Sequence, residues 1–295
     1  MSGSVRPVVR GALLVLLSAA CIAIDTILAR IVTQEVSSFV LVFFRNLFGF
    51  LFILPWLIRI GRVAFVTQRM DLHITRAAVK ILGLVCFFFG LSVVPVAEAT
   101  ALAFATPLFA ALGAALFLGE TLRHGRLPAI LLGFIGVLIV LRPGGAALHL
   151  GAFAILASAV ALATIGLLAK RLARWDPPNT VLAINLSLSV PLALLAAIPF
   201  WTTPSWAALA LMAIQGALGA ASQFCFVRAL SLADASLMMP IDFVRLPLVA
   251  LLGFLAFGQV PDGWTWVGAA VIGTAIMLLL RAGIRTPVVV LPDNR

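Results

Sequence analysis

Long apolar stretches, each about as long as a bilayer crossing and each ended by charge, proline or glycine, recur along the whole chain. They predict helical spans near 12–29, 36–58, 77–94, 97–118, 127–141, 151–169, 180–200, 206–227, 234–257 and 264–281, since one crossing uses roughly 20 consecutive apolar residues. Trp56, Trp175, Trp201, Trp206, Trp264 and Trp266 fall at or near the ends of these spans, where an amphipathic ring is favoured at the headgroup level. The predicted fold class is an all-α membrane protein with ten transmembrane helices and short connections.

The pattern repeats. Ala97-Glu98-Ala99-Thr100 opens a span that carries Pro107-Leu108 and closes at Leu118-Gly119-Glu120. Ala233-Asp234-Ala235-Ser236 opens another that carries Pro247-Leu248 and closes at Phe257-Gly258-Gln259. Glu120 to Arg142 and Gln259 to Arg281 are both separations of 22 residues, each enclosing one further span. This predicts a five-helix unit used twice, residues 1–142 and 151–285, with a linker at 143–150 and a tail at 286–295. Five is odd, so the second copy enters the membrane in the opposite sense. Two inverted five-helix repeats around a central cavity are the architecture of many secondary transporters, because the copies can exchange conformations about one midplane site.

Composition sharpens this reading. Of 295 residues 63% are hydrophobic and 10% charged, whereas a soluble domain is about half apolar and a quarter charged. The net charge of +10 does not point to a nucleic-acid partner, which needs a clustered basic face and aromatic platforms. With the N-terminus in the cytoplasm, sixteen of the twenty basic residues, Arg76 and Lys80 among them, fall on the cytoplasmic side. Arg30 and Arg142 fall outside, and Arg45 and Arg245 within spans. That asymmetry predicts two cytoplasmic termini. Only Lys80 and Lys170 are lysines, a bias of GC-rich bacterial genomes that favours a bacterial inner membrane.

Arg6 and Arg10 ahead of an apolar run ending in Ser18-Ala19-Ala20-Cys21 have the look of a cleaved leader. The run continues to Arg30, however, and nine similar segments follow, so it is expected to remain as a span. Cys21, Cys86 and Cys225 lie in apolar runs without paired spacing, which indicates neither a disulfide framework nor a metal site. His73, His124 and His149 fall in predicted loops, and no phosphate loop or activated nucleophile is present. No enzyme is expected.

Phe43-Phe44-Arg45-Asn46, Pro95-Val96-Ala97-Glu98-Ala99-Thr100 leading to Pro107-Leu108-Phe109, Leu118-Gly119-Glu120, and Pro240-Ile241-Asp242-Phe243 occur in an order and spacing that resembles the EamA-type ten-helix members of the drug/metabolite transporter superfamily. The resemblance covers nearly the whole chain. It implies two halves around a central cavity, a small organic metabolite as partner, coupling to protons or exchange, and no bound cofactor. Gln259 stands where the first half has Glu120, so an acidic role at that helix end is not expected in both halves.

Ionisable groups inside a bilayer cost roughly 2.5–3.5 kcal/mol each on insertion scales and need a partner or a wet cavity. Arg45, Asp242 and Arg245 are predicted about 12 to 16 Å inside their spans, near the midplane, with Asp25 nearer the outer surface. These four are the candidate substrate-binding residues. Asp242 and Arg245, three apart on one helix, either neutralise each other or line the cavity, with Asp242 a candidate proton acceptor. Pro240 and Pro247 free backbone groups beside them, which favours a cavity. Arg45 either binds an anionic group of the substrate or pairs with Asp25. Glu98 is a gating or coupling candidate whose alternative is a solvated interface residue. Glu120, beside Arg123 and Arg126, is a secondary candidate whose simpler account is a structural salt bridge. Asn46, Asn185 and Gln223 are expected to hydrogen-bond between helices, and Gly113, Ala217, Ala221 and Gly273 to permit close packing.

Two other classes of protein leave different marks in a sequence. A membrane enzyme or biogenesis factor acting on lipid-linked substrates would show clustered His or acidic residues at one face, and a channel would show repeated polar rings. Neither pattern occurs. The function expected is secondary transport of a small polar or zwitterionic metabolite, amino-acid-like or nucleoside-linked, by alternating access.

Overall fold

The computed structural model describes residues 5–61, 65–118, 126–141, 150–232, 238 and 241–284. Its long helices are α1 (Val5–Val32), α2 (Ser38–Ile60), α3 (Met70–Val93), α4 (Val96–Ala103), α5 (Thr106–Leu118), α6 (Arg126–Leu141), α7 (Leu150–Leu172), α8 (Pro178–Ala197), α9 (Trp206–Leu232), α10 (Arg245–Phe257) and α11 (Gly263–Ile284). A 3-10 turn, Ile198–Phe200, extends α8, and no strand occurs among the described residues. Among the described residues seven stretches are long and apolar enough to cross a bilayer: Val9–Val32, Ser38–Ile60, Met70–Val93, Val96–Phe117, Leu150–Leu172, Asn179–Phe200 and Trp206–Ala229. Leu127–Leu141, Arg245–Phe257 and Gly263–Leu279 are shorter apolar helices. Large apolar side chains such as Leu13, Phe52, Leu82, Phe117, Leu195 and Phe224 point outward. An exterior of that kind suits lipid rather than water, and the chain is a multi-pass membrane protein.

The span predicted at 97–118 is two helices. Pro107 has no N–H to give the carbonyl four residues back, and α4 ends at Ala103, whose carbonyl accepts the Thr106 hydroxyl instead at 2.8 Å. The span predicted at 234–257 is interrupted in the same way. Ile241 and Asp242 are helical, Phe243 and Val244 form a turn, and α10 begins at Arg245. The Phe243 carbonyl, four before Pro247, is taken up by the Leu246 N–H at 3.0 Å. The two interruptions meet: the rings of Phe104 and Phe243 stack with centroids 4.3 Å apart and planes 13° from parallel.

α1 packs along α9, α3 along α7 and α6 along α11, while α2 crosses α8 and α9. Small residues bring backbones together at these crossings, as the expected packing role of glycine requires. A Cβ on Gly216 would lie 2.7 Å from the backbone nitrogen of Gly49, and one on Gly136 would lie 2.9 Å from that of Ile272. α10 ends on Gly258, whose φ of 65° is the left-handed conformation that glycine adopts without cost at a helix end.

The turns after α1 and α7, residues 33–37 and 173–177, follow the same backbone course. Each is fastened to the head of a helix in the other half. Glu35 accepts from the Ser205 backbone N–H at 2.6 Å and its hydroxyl at 3.0 Å, at the start of α9, all in exposed positions. Asp176 accepts from the Thr67 hydroxyl at 2.7 Å and meets His73 Nε2 at 2.8 Å, near the start of α3, where His73 is 0% exposed.

This corrects the loop placement of His73. α3 begins at Met70, seven residues before the predicted span, because Asp71 in its first turn suits the positive helix end and is held by Arg69 at 2.9 Å. Arg76, placed before the predicted span, and Lys80, counted with the cytoplasmic charges, therefore both lie well inside the helix. His124 and His149 lie outside the described residues.

Candidate functional site

α1 runs on to Val32, past the predicted end at 29, because Arg30 does not terminate it. The Arg30 guanidinium reaches across to the Leu91 carbonyl and, at 3.2 Å, the Val94 carbonyl, closing the end of α3. Asp25 is consequently seven residues from the helix end and 7% exposed, deeper than its predicted place near the outer surface. It pairs with Arg45 of α2 through two contacts, Oδ2 to Nη2 at 2.8 Å and Oδ1 to Nε at 3.4 Å. Of the two accounts of Arg45, the pairing with Asp25 is the one present. α9 completes the seat. Gln215 donates to the Asp25 backbone carbonyl at 3.1 Å, and a Cβ on Gly219 would stand 2.9 Å from Arg45 Nη2. The guanidinium carbon also lies 5.6 Å from the ring centre of Phe88 in α3.

Asp242 and Arg245 meet more loosely, at 3.7 Å, across the interruption before α10. Asp242 Oδ1 and Arg245 Nε are buried without a hydrogen-bond partner. The Arg245 guanidinium lies 4.5 Å from the centre of the Phe104 ring, so the charge rests on the stacked pair of rings that joins the two interrupted helices. Among the described residues no ion pair joins Asp242 or Arg245 to Asp25 or Arg45.

Glu98 stands in the first turn of α4, half-buried. It lines a cleft of about 130 Å³ with Pro95, Gln259, Val260, Asp262 and Thr265. Gln259, turned inward after Gly258, accepts the Val96 N–H at 3.1 Å and so caps α4 from the other half. That neutral cap needs an acceptor and no charge, a physical reason for glutamine at this helix end. Glu120 and Arg123 lie outside the described residues.

Lys80 was missed as an intramembrane group. It stands half-buried in α3 and donates to the Ser189 hydroxyl of α8 at 3.0 Å, and Ser189 donates in turn to the Asn185 carbonyl at 2.6 Å. The signal that marks it is local: Asp71 starts a helix, and from there Arg76 and Lys80 fall one turn apart on one face. None of the polar residues expected to bridge helices is seen to do so among the described residues. Asn46 bonds back to Val42 of its own helix at 2.8 Å, Gln223 is exposed, and the bridging falls to Gln215 and to Ser18, which donates to the Ser222 carbonyl at 3.0 Å. Positions 18 and 215 face the α1–α9 seam, and helical phase rather than residue type decides which polar groups cross it.

Among the described residues the arrangement brings together the Asp25–Arg45 and Asp242–Arg245 pairs, the Phe104–Phe243 stack and the Lys80 amine on Ser189. Among the described residues no group of three or more metal-binding side chains occurs. The chain matches the EamA-like transporter family twice, over residues 9–142 and again over 149–281. It is 36% identical over 244 residues to a riboflavin transporter of Rhizobium johnstonii, a match covering 82% of this chain and 81% of that protein. It is 26% identical over 280 residues to an S-adenosylmethionine uptake transporter of Rickettsia prowazekii, covering 95% of each. A solved crystal structure superposes with a TM-score of 0.61 at 21% identity, covering 92% of this chain and 99% of the other.

Proposed function

The chain belongs to the EamA-like transporter family, and on that premise we propose that it is a secondary active transporter working by alternating access in a bacterial inner membrane. It moves a small metabolite and is not an enzyme. The proposed frame has ten crossings in two inverted repeats with both termini cytoplasmic. Support comes from the two successive family matches and from packing that exchanges with the halves: α1 on α9 corresponds to α7 on α3, and α2 on α9 to α8 on α3.

The observation that carries the site is the meeting of two proline-interrupted helices at Phe104 and Phe243, with Arg245 over the ring and Asp242 beside it. Interrupted helices in corresponding places of two halves are where transporters of this architecture bind substrate. Arg45, Asp25, Asp242 and Arg245 are the proposed binding residues. Asp242 is the proposed proton acceptor in a coupled cycle, and Glu98 and Glu120 are proposed to gate.

Charges flanked by aromatic faces suit a planar heterocycle with polar substituents, since rings stack and guanidinium groups lie over them. Riboflavin is the first substrate proposed, in keeping with the 36% identity to the Rhizobium protein. A nucleoside-linked, amino-acid-like zwitterion of the S-adenosylmethionine kind is the second reading. Counterflow with purified protein in liposomes tests both. Saturable exchange of labelled riboflavin, inhibited by unlabelled riboflavin and not by free amino acids, is expected. Flux without saturation or counterflow would replace the carrier by a channel.

A further inference from the structure

Lys80 lies ten residues into α3, about 15 Å along the helix from its head and farther than a lysine stem reaches. Among the described residues no carboxylate pairs with it. The charges that bear on it are those of Arg45 and Arg76, both positive. Its one hydrogen-bond partner among the described residues is the neutral hydroxyl of Ser189, at 3.0 Å, although an ammonium carries three donors. Ser189 is 0% exposed and already donates to its own helix.

The neighbouring groups have the same surplus. Asn185, one turn from Ser189 on α8, is 6% exposed and its Nδ2 has no hydrogen-bond partner among the described residues. Arg76, one turn before Lys80, reaches the Ile165 carbonyl at 3.4 Å through Nε, and its Nη1 has no hydrogen-bond partner among the described residues. Asp25 is already engaged by Arg45. Three cations are thus set against one carboxylate, and what is left over is donors. A buried donor left unmade costs about 1–3 kcal/mol, and more when charged, so a group that brings acceptors alone relieves several deficits together.

We infer that Lys80, Ser189 and Asn185 form a subsite that receives an acceptor-only group of the transported metabolite. Such a group is an oxyanion or a ring-carbonyl oxygen of a heterocycle. The subsite rests on the transporter reading above and names the part of the substrate that α3 and α8 hold. It lies apart from the Asp242–Arg245 pair, to which none of its residues is joined by a hydrogen bond or ion pair among the described residues. The ring of the metabolite and its acceptor group are therefore held by different helices.

The test compares the parent with Lys80→Met, Lys80→Arg and Asn185→Ala, each purified in detergent and in liposomes. The probes are riboflavin, which offers ring-carbonyl oxygens without charge, riboflavin 5′-phosphate, which adds an oxyanion, and S-adenosylmethionine, which carries a carboxylate. For a compound that the parent exchanges, Lys80→Met is expected to weaken binding about tenfold or more, as loss of a charged hydrogen bond does. Lys80→Arg should recover part of the loss, and the unfolding temperature without substrate should not fall. Asn185→Ala, which leaves the ammonium in place, should weaken the same compound to a smaller extent. A loss seen with riboflavin identifies the ring carbonyl as the group held; a loss confined to the phosphate or carboxylate compounds identifies the oxyanion. If Lys80→Met folds and binds every exchanged compound as the parent does, the subsite is wrong while the transporter reading stands. If Lys80→Met does not fold, unchanged binding by Asn185→Ala overturns it. A parent that exchanges none of the three compounds overturns the substrate reading and the subsite with it.

Discussion

The two ion pairs inside the bundle have the same chemistry and opposite construction. Asp25 and Arg45 come from different helices, meet through two contacts, and are braced by Gln215 and seated against Gly219. Asp242 and Arg245 come from one turn of one segment, stand 3.7 Å apart, and keep a carboxylate oxygen and a guanidinium nitrogen unused. A pair that has spent its hydrogen bonds on its own partners holds helices together and must give one of them up before it can bind a ligand. One that has not retains capacity for a ligand. The difference teaches that intramembrane charge alone does not mark a binding group; what distinguishes the two pairs is how much of each remains unsatisfied.

The comparison predicts its own tests, the first of them severe. Arg45→Gln strands a buried carboxylate, and breaking such a pair costs about 3 kcal/mol or more. A large fall in unfolding temperature in detergent is expected, and Asp25→Asn together with Arg45→Gln should cost clearly less than the two single changes added. Additive losses would mean that the pair is not a unit. Gly219→Leu leaves both charges in place but drives a side chain into the space of Arg45 Nη2, and overpacking of this kind costs about 1–3 kcal/mol. Unfolding should shift by an intermediate amount, and a neutral result would show that Arg45 has room to move aside. Asp242→Asn removes a loose contact of 3.7 Å and should lower the unfolding temperature clearly less than Arg45→Gln, while counterflow falls severalfold. Should it unfold the protein as Arg45→Gln does, the contrast between the pairs disappears.

Much of this was legible in the sequence, and the limits have physical causes. Apolar runs locate helices well because a bilayer crossing needs length and little else, so α2, α7 and α9 lie close to their predicted spans. Charged residues near helix ends misled in both directions. Arg30 looked like a terminus but reaches across to carbonyls of α3, and Arg76 and Lys80 counted as cytoplasmic charges but stand well inside a helix that begins beside Asp71. A charge ends an apolar run on paper, whereas in the molecule the helix ends where its backbone partners run out. Pro107 and Pro247 were visible, as were the acidic and basic residues near them, but the meeting of Phe104 with Phe243 depends on tertiary packing that no local pattern encodes. The same holds for His73 and Asp176, 103 positions apart.

The fastenings at the two ends of the bundle differ in what they leave behind when they part. Glu35 and Ser205 are exposed, so water can take over each bond as it is released. Asp176 and His73 are buried, and separating them leaves polar groups facing apolar side chains until solvent follows. If the ends open in turn, the work of opening is unequal and the molecule rests with the Asp176 end shut. Two copies of one fold would then serve as a latch and a hinge, with the direction of easiest entry set by a single turn of chain rather than by the binding residues.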